Sequence, residues 1–224
     1  MSTIAIVGAG PGLGLSIARR FGKEGFTVAL VSRSQGRLDD LVGQLEKDGI
    51  TAAGFAADIL DRPALTGALH RATERFGPVD VLEFSPAPKQ ADDPALTPVS
   101  ALEVNVENIQ QQIDYYVYGA VTAVQAVLPA MIERGSGTLL FTTGASSALV
   151  FPQMGNVGIA SGALRNWVLA LNATLADKGV YATHVPLATW IGQGGPETQP
   201  DTIAETYWDL YIKRDEAERL YSTL

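Results

Sequence analysis

The 224-residue sequence has no cysteine and only two histidines, His70 and His184, far apart in the chain. The first absence excludes disulfides, thiol nucleophiles and thiolate metal sites together. The second leaves no metal-ligand spacing, so no metal site is expected. Positive charge is also in short supply, with sixteen Lys and Arg against twenty-four Asp and Glu, a net charge of −8. That balance argues against a nucleic acid or an anionic membrane as partner. The longest apolar run, 119–132, is interrupted by Thr122, Gln125 and Pro129 and does not read as a membrane span. The first residues show no basic n-region and only a short apolar stretch, so no signal peptide is read and a cytoplasmic location is expected.

What the chain does have is a sharply defined beginning. Ile4-Ala5-Ile6-Val7 runs directly into Gly8-Ala9-Gly10-Pro11-Gly12-Leu13-Gly14, and residues 15–21 then carry a helical pattern. Strand, Gly-rich turn and helix in this order bring backbone N–H groups and a positive helix end to one point, where a diphosphate can sit. A GxGxxG string alone is weak; between a strand and a helix it is a strong sign of dinucleotide binding.

Strand-like and helix-like segments alternate along the rest of the chain. Strands are read at 27–32, 51–57, 79–84, 138–143 and 181–185. Helices are read around Leu38–Leu45 (Leu38, Leu41, Val42 and Leu45 recur at helical spacing), at 63–76, at 106–134 with a break near its start, at 157–176 and at 202–221. Residues 85–98 hold four prolines and read as a loop. Alternation of this kind specifies parallel strands joined by crossover helices. The expected architecture is α/β, a Rossmann-type doubly wound parallel sheet forming one domain over residues 1–224.

In such folds the end of the second strand meets the adenosine ribose, where a carboxylate would accept from a free 2′-hydroxyl. Here that place holds Ser32 and Arg33, with no carboxylate until Asp39. Arg33 suits a bidentate, charge-assisted pair with a 2′-phosphate, so NADP(H) is favoured over NAD(H). Asp58, at the end of the third strand, is placed either to bond the adenine amino group or to cap the following helix.

With these residues in view, the chain resembles a short-chain dehydrogenase/reductase of the compact, single-domain kind over essentially its whole length. That family's T-G-x-x-x-G-x-G turn is matched by residues 7–14, with Val7 in place of Thr. Its Asp after the third strand is matched by Asp58, and 119–131 and 161–167 resemble its two long helices. The resemblance implies cofactor contacts from Gly8, Gly10, Pro11, Gly12, Leu13, Gly14, Ser32, Arg33, Asp58, Ile59, Ser85 and Ile191. It also implies chemistry by Asn, Ser, Tyr and Lys, and these are missing. Their positions fall on Tyr116, Gly144, Val157 and Ser161. No tyrosine lies between Tyr118 and Tyr181 and no lysine between Lys89 and Lys178, so a slip of alignment does not restore the Tyr–Lys dyad.

Hydride transfer remains possible because the cofactor carries it, but the proton must come from elsewhere. Tyr116, Ser146 and Ser147 are the candidates near the expected nicotinamide end, with His184 a weaker one. Three readings stay open: an oxidoreductase acting on a carbonyl or hydroxyl with rebuilt catalytic residues, a non-redox enzyme reusing the cleft, and an inactive NADP(H)-binding sensor or partner subunit. A small, partly apolar substrate is expected. Trp190 and Ile191 suggest an apolar wall, and Gly192, Gly194 and Gly195 a mobile lid or an exposed turn. The apolar faces of the two long helices (Val121, Val124, Val127, Leu128; Leu164, Trp167, Val168, Leu171) point to a homodimer or homotetramer.

Overall fold

The structure is a computed structural model that describes residues 1–88 and 93–223. Of the expected loop at 85–98, residues 89–92 therefore lie outside the described residues. The strands β1 (Thr3–Val7), β2 (Thr27–Ser32), β3 (Ala52–Ala56), β4 (Val81–Phe84), β5 (Gly137–Gly144), β6 (Val180–Ala188) and β7 (Tyr221–Ser222) form one parallel sheet in the order β3-β2-β1-β4-β5-β6-β7. The helices are α1 (Leu13–Lys23), α2 (Gln35–Lys47), α3 (Arg62–Phe76), α4 (Val106–Gln112), α5 (Gly119–Arg134), α6 (Gly155–Leu175) and α7 (Pro200–Lys213). The expected doubly wound architecture is the one found.

The apolar runs of the strands are continuous because both faces of the sheet are covered. One face packs Phe84, Phe141, Leu82 and Leu139 against Leu69, Val127, Met131, Leu164 and Val168 of α3, α5 and α6. The other packs Ile4, Ile6, Leu30 and Leu140 against Ile17, Phe21, Leu38, Leu45 and Tyr207 of α1, α2 and α7. The break expected near the start of the 106–134 helix is a π-helical stretch, Ile113–Tyr118, between α4 and α5. The extra residue per turn bulges the helix where Tyr115 and Tyr116 sit, a distortion frequent at functional sites. By length and composition the run Val106–Arg134 would also pass for a membrane-crossing helix. Its Tyr115, Ala120, Ala123, Val124, Val127 and Met131 are buried in the core instead.

The carboxy-terminal region departs from the sequence reading. The helix expected over 202–221 ends at Lys213, where Arg214 turns into the left-handed region at φ 52°. The charges that follow are spent on tertiary pairs rather than on helix faces. Arg214 donates to Thr138 Oγ1, Arg219 pairs with Asp209 and Glu216, and Glu218 pairs with Arg165. Residues 217–219 run along the edge of β6, with His184 N–H on Ala217 O at 3.0 Å and Arg219 N–H on His184 O at 2.9 Å. Tyr221 and Ser222 then add the unforeseen seventh strand.

One buried carboxyl interrupts the apolar sheet. Glu83 of β4 is fully buried and accepts from Ser85 Oγ at 2.8 Å and Thr142 Oγ1 at 2.9 Å, with the Tyr207 hydroxyl 2.7 Å from Thr142 Oγ1. Burial pushes it from 4.5 up to about 8, against the opposing pull of the two hydroxyls. The folded protein thus keeps a proton that the unfolded chain gives up above its own, lower pKa. Stability from this group is complete below about pH 4.5 and is lost as the pH rises toward 8, by on the order of a few kcal/mol. Glu83→Gln suffers no such loss. Its Tm, measured against the parent at pH 5, 6.5 and 8, is expected to gain on the parent steadily; parallel curves would contradict this account.

Candidate active site

The carboxyl ends of β1 to β4 surround a cavity of about 510 Å³. The Gly-rich turn supplies one wall through Gly8, Gly10 and Pro11, and Ser32, Arg33, Ser34 and Arg37 supply the next. Asp58 and Ile59 after β3, Pro86 to Pro88 after β4, and Tyr115 of the π stretch complete it. Seven of the expected cofactor residues thus meet in one space. Gly12 is the N-cap of α1, and Leu13 and Gly14 are its first, buried residues. Ser85 and Ile191 are not part of this wall: the Ser85 hydroxyl is turned to Glu83, and Ile191 is exposed beside Trp190.

The turn fits a diphosphate on its own geometry. Among the described residues, a Cβ at Gly10 or Gly12 would meet no heavy atom within 4 Å. Gly8 is different: its φ is +96° and a Cβ would lie 2.6 Å from Pro86 N and Cα, so only glycine fits between the turn and the segment after β4. Helix α1 starts with no side-chain cap and no acidic residue in its first turn; its Leu15 N–H donates to Gly10 O at 3.0 Å, and its positive end is left for an anion.

A second group lies where β5 ends and α6 begins. Gly144 is exposed, and Ser146 and Ser147 follow in a single 3₁₀ turn. Ser146 Oγ is 3.4 Å from Ser161 Oγ on α6, which itself donates to Val157 O at 2.7 Å. Tyr116 is half-buried and packs edge-on against Tyr115 with ring centroids 5.0 Å apart. Burial alone pushes its phenol up to about 12. His184 is fully buried in β6, its Nε2 2.9 Å from Thr143 Oγ1 and its Nδ1 2.9 Å from Glu218 Oε2.

A family model described as short chain dehydrogenase matches residues 2–189. The chain belongs to that family. Galactitol 2-dehydrogenase (L-tagatose-forming) of Cereibacter sphaeroides is 33% identical over 223 residues, which is 98% of this chain and 77% of that protein. Glycine betaine reductase ATRR of Emericella nidulans is 26% identical over 180 residues, 80% of this chain but only 14% of that much longer protein. L-sorbose reductase from Gluconobacter frateurii, solved with NADPH and L-sorbose, superposes with a TM-score of 0.83 at 18% identity, covering 99% of this chain and 95% of that one. This last likeness is one of fold.

For a short-chain dehydrogenase, two features of the cavity could not be read from the motif. Arg33 does not face the cavity as a free cation. Its Nη1 and Nη2 donate to Asp93 Oδ1 and Oδ2 at 2.7 and 2.9 Å, a bidentate pair across 60 residues. That hydrogen bond, against some burial, raises the guanidinium further above its usual range. A second cation, Arg37, lines the same space one helical turn on. Asp58 does not cap the helix that follows it: its Oδ1 accepts from Leu60 N–H at 3.0 Å in a local turn, and the cap of α3 is Asp61, accepting from Ala64 N–H. The missed residues Asp93, Thr143 and Glu218 carried no local signal, because each matters through a partner distant in sequence.

The Arg33–Asp93 pair makes a direct expectation. Asp93→Asn frees the fork for an anion without removing it, so NADPH should bind more tightly by up to about fivefold, the upper range for a half-exposed ion pair. NADH affinity should stay level. Fluorescence titration of both cofactors reads the difference, and an equal gain for NADH would show that the carboxylate acts on the nucleotide by another route.

Proposed function

We propose that this short-chain dehydrogenase is an NADP(H)-dependent oxidoreductase acting on a carbonyl or hydroxyl group with non-standard catalytic residues. The observation that carries this reading is the cavity itself. Gly10, Arg33 and Arg37 line the adenosine side of one space, and the Gly-rich turn leads from it directly into the start of α1. Gly10 and Gly12 with the α1 N-terminus would hold the diphosphate, Arg33 and Arg37 a 2′-phosphate, and Asp58 and Ile59 the adenine. The bound nicotinamide would supply or take the hydride. That the structurally similar L-sorbose reductase was solved with NADPH supports the choice of cofactor.

The absence of the Tyr–Lys dyad favours the second reading, an NADP(H)-binding protein without redox chemistry, because Val157 cannot titrate and Gly144 offers no hydroxyl. Turnover decides between the two. For the reaction, Tyr116, Ser146 and Ser147 are the proposed sources of the proton, and of these only Ser147 is hydrogen-bonded to a chain of titratable groups. A cytoplasmic location and a two-fold assembly through α5 and α6 are also proposed. Part of the expected contact face is consumed inside the chain, since Val124, Val127, Leu164 and Val168 are fully buried; Val121, Leu128, Trp167 and Leu171 remain half-buried for a partner.

Two measurements check this. A charge-assisted contact contributes about 1.5–3 kcal/mol, so NADPH should bind on the order of tenfold more tightly than NADH, and Arg33→Ala should narrow the gap. Equal affinities in the parent protein would remove the assignment. Light scattering at micromolar concentration should find a dimer or tetramer; a monomer would restrict the helix faces to the protein's own core.

A further inference from the structure

Resting on that reading, we propose that Ser147, Thr143, His184 and Glu218 form a proton relay that takes the place of the missing Tyr–Lys dyad, with Ser147 as the group that touches the substrate oxygen. The four side chains come from the 3₁₀ turn, β5, β6 and the tail beyond α7. Thr143 Oγ1 donates to Ser147 Oγ at 2.8 Å and lies 2.9 Å from His184 Nε2, His184 Nδ1 lies 2.9 Å from Glu218 Oε2, and Ser147 Oγ itself donates to Gly144 O at 3.1 Å. Arg165 of α6 grips the same carboxylate with both Nε and Nη2. The inner members are buried: His184 is 0% and Thr143 4% exposed. Ser147 is half-exposed beside the exposed Gly144, and its turn abuts the first turns of α6, where a Cβ on Gly158 would lie 3.5 Å from Ser146 O. The relay therefore begins in the interior and ends at the corner where the family keeps its own proton-transfer groups.

Charge settles its polarity. Hydrogen bonds from Arg165, opposed by partial burial, hold the Glu218 carboxyl below the usual range, so it is ionised. A ring nitrogen facing a carboxylate must carry a proton, which places the neutral proton of His184 on Nδ1 and leaves Nε2 to accept. Burial lowers the imidazole below 6.5, against the upward pull of Glu218 and with a further downward push from Arg165. Glu218 and Arg165 are the charged groups that act on it. The donor order, Thr143 to Ser147 and Ser147 outward, runs away from the imidazole, the direction that delivers a proton for reduction. With His184 protonated, its Nε2 proton would pass to Thr143, the Thr143 proton to Ser147, and the Ser147 proton, released from Gly144 O, to the oxygen of a carbonyl whose carbon takes the hydride. Each hydroxyl ends with one proton, the carbonyl becomes an alcohol, and the imidazole beside Glu218 is left neutral. Because burial holds the imidazole below 6.5, delivery strengthens as the pH falls.

¹⁵N-histidine NMR tests the relay without needing turnover, and exposed His70 serves as the internal reference. His184 should be in the Nδ1–H tautomer when neutral, and Ser147→Ala and Thr143→Val should each shift its titration while Thr143→Ser leaves it close to the parent. A His184 that titrates alike in all four proteins, or that carries its proton on Nε2, overturns the relay. With a carbonyl panel and NADPH, Thr143→Val should lower kcat about 10²-fold or more and flatten its fall with rising pH, with NADPH affinity unchanged and activity restored in Thr143→Ser. Unchanged kcat in Thr143→Val overturns the relay even if the NMR response is present. NADPH binding with an indifferent His184 rejects the relay alone; a responsive His184 with no NADPH binding rejects the reductase reading alone.

Discussion

The site depends on one close approach, the Gly8 turn lying against Pro86. Gly8 and Ala9 both donate to Val31 O, at 3.0 and 3.1 Å, which bends the chain away from β1 and toward β2. The same turn comes so near the segment leaving β4 that no Cβ fits. This contact sits where the strand order reverses between β1 and β4, the crevice that open parallel sheets offer to ligands. If the turn were forced outward, the α1 N-terminus and the Ser32–Arg33 wall would no longer face one space.

Charge is used sparingly and at long range. Arg33, Arg165 and Glu218 each find partners more than thirty residues away. Arg33 is tied to the loop after β4, and Glu218 ties the tail to β6. Both arrangements hold a surface segment to the site through a bidentate carboxylate–guanidinium fork, the geometry that gives such pairs their directionality.

The first half of the molecule was legible because its signals are local. Period and glycine placement give β1, α1, β2 and α3 nearly to the residue, and the Gly-rich turn locates the cavity. The tail was not legible. Residues 214–220 (Arg-Asp-Glu-Ala-Glu-Arg-Leu) have good helix propensity, but their charges are satisfied by Thr138, Arg165, His184 and Asp209, so tertiary pairing overrode propensity. His184 illustrates the same limit. Flanked by Thr183 and Val185 in a strand, it reads as structural. Its significance rests on Thr143 and Glu218, 41 and 34 residues away. The Arg33–Asp93 pair, likewise, has no period and no motif.

The tail along β6 is a narrow attachment: one bridge at His184 and Glu218, then a two-residue strand at an open sheet edge. Such edges fray by local opening at a small fraction of the global unfolding energy. Peeling residues 217–222 from β6 would leave the sheet and both cores standing, yet it would withdraw the Glu218 carboxylate from a buried imidazole. The lifetime of the His184–Glu218 contact is therefore governed by how seldom that edge unzips, a separate quantity from the lifetime of the fold.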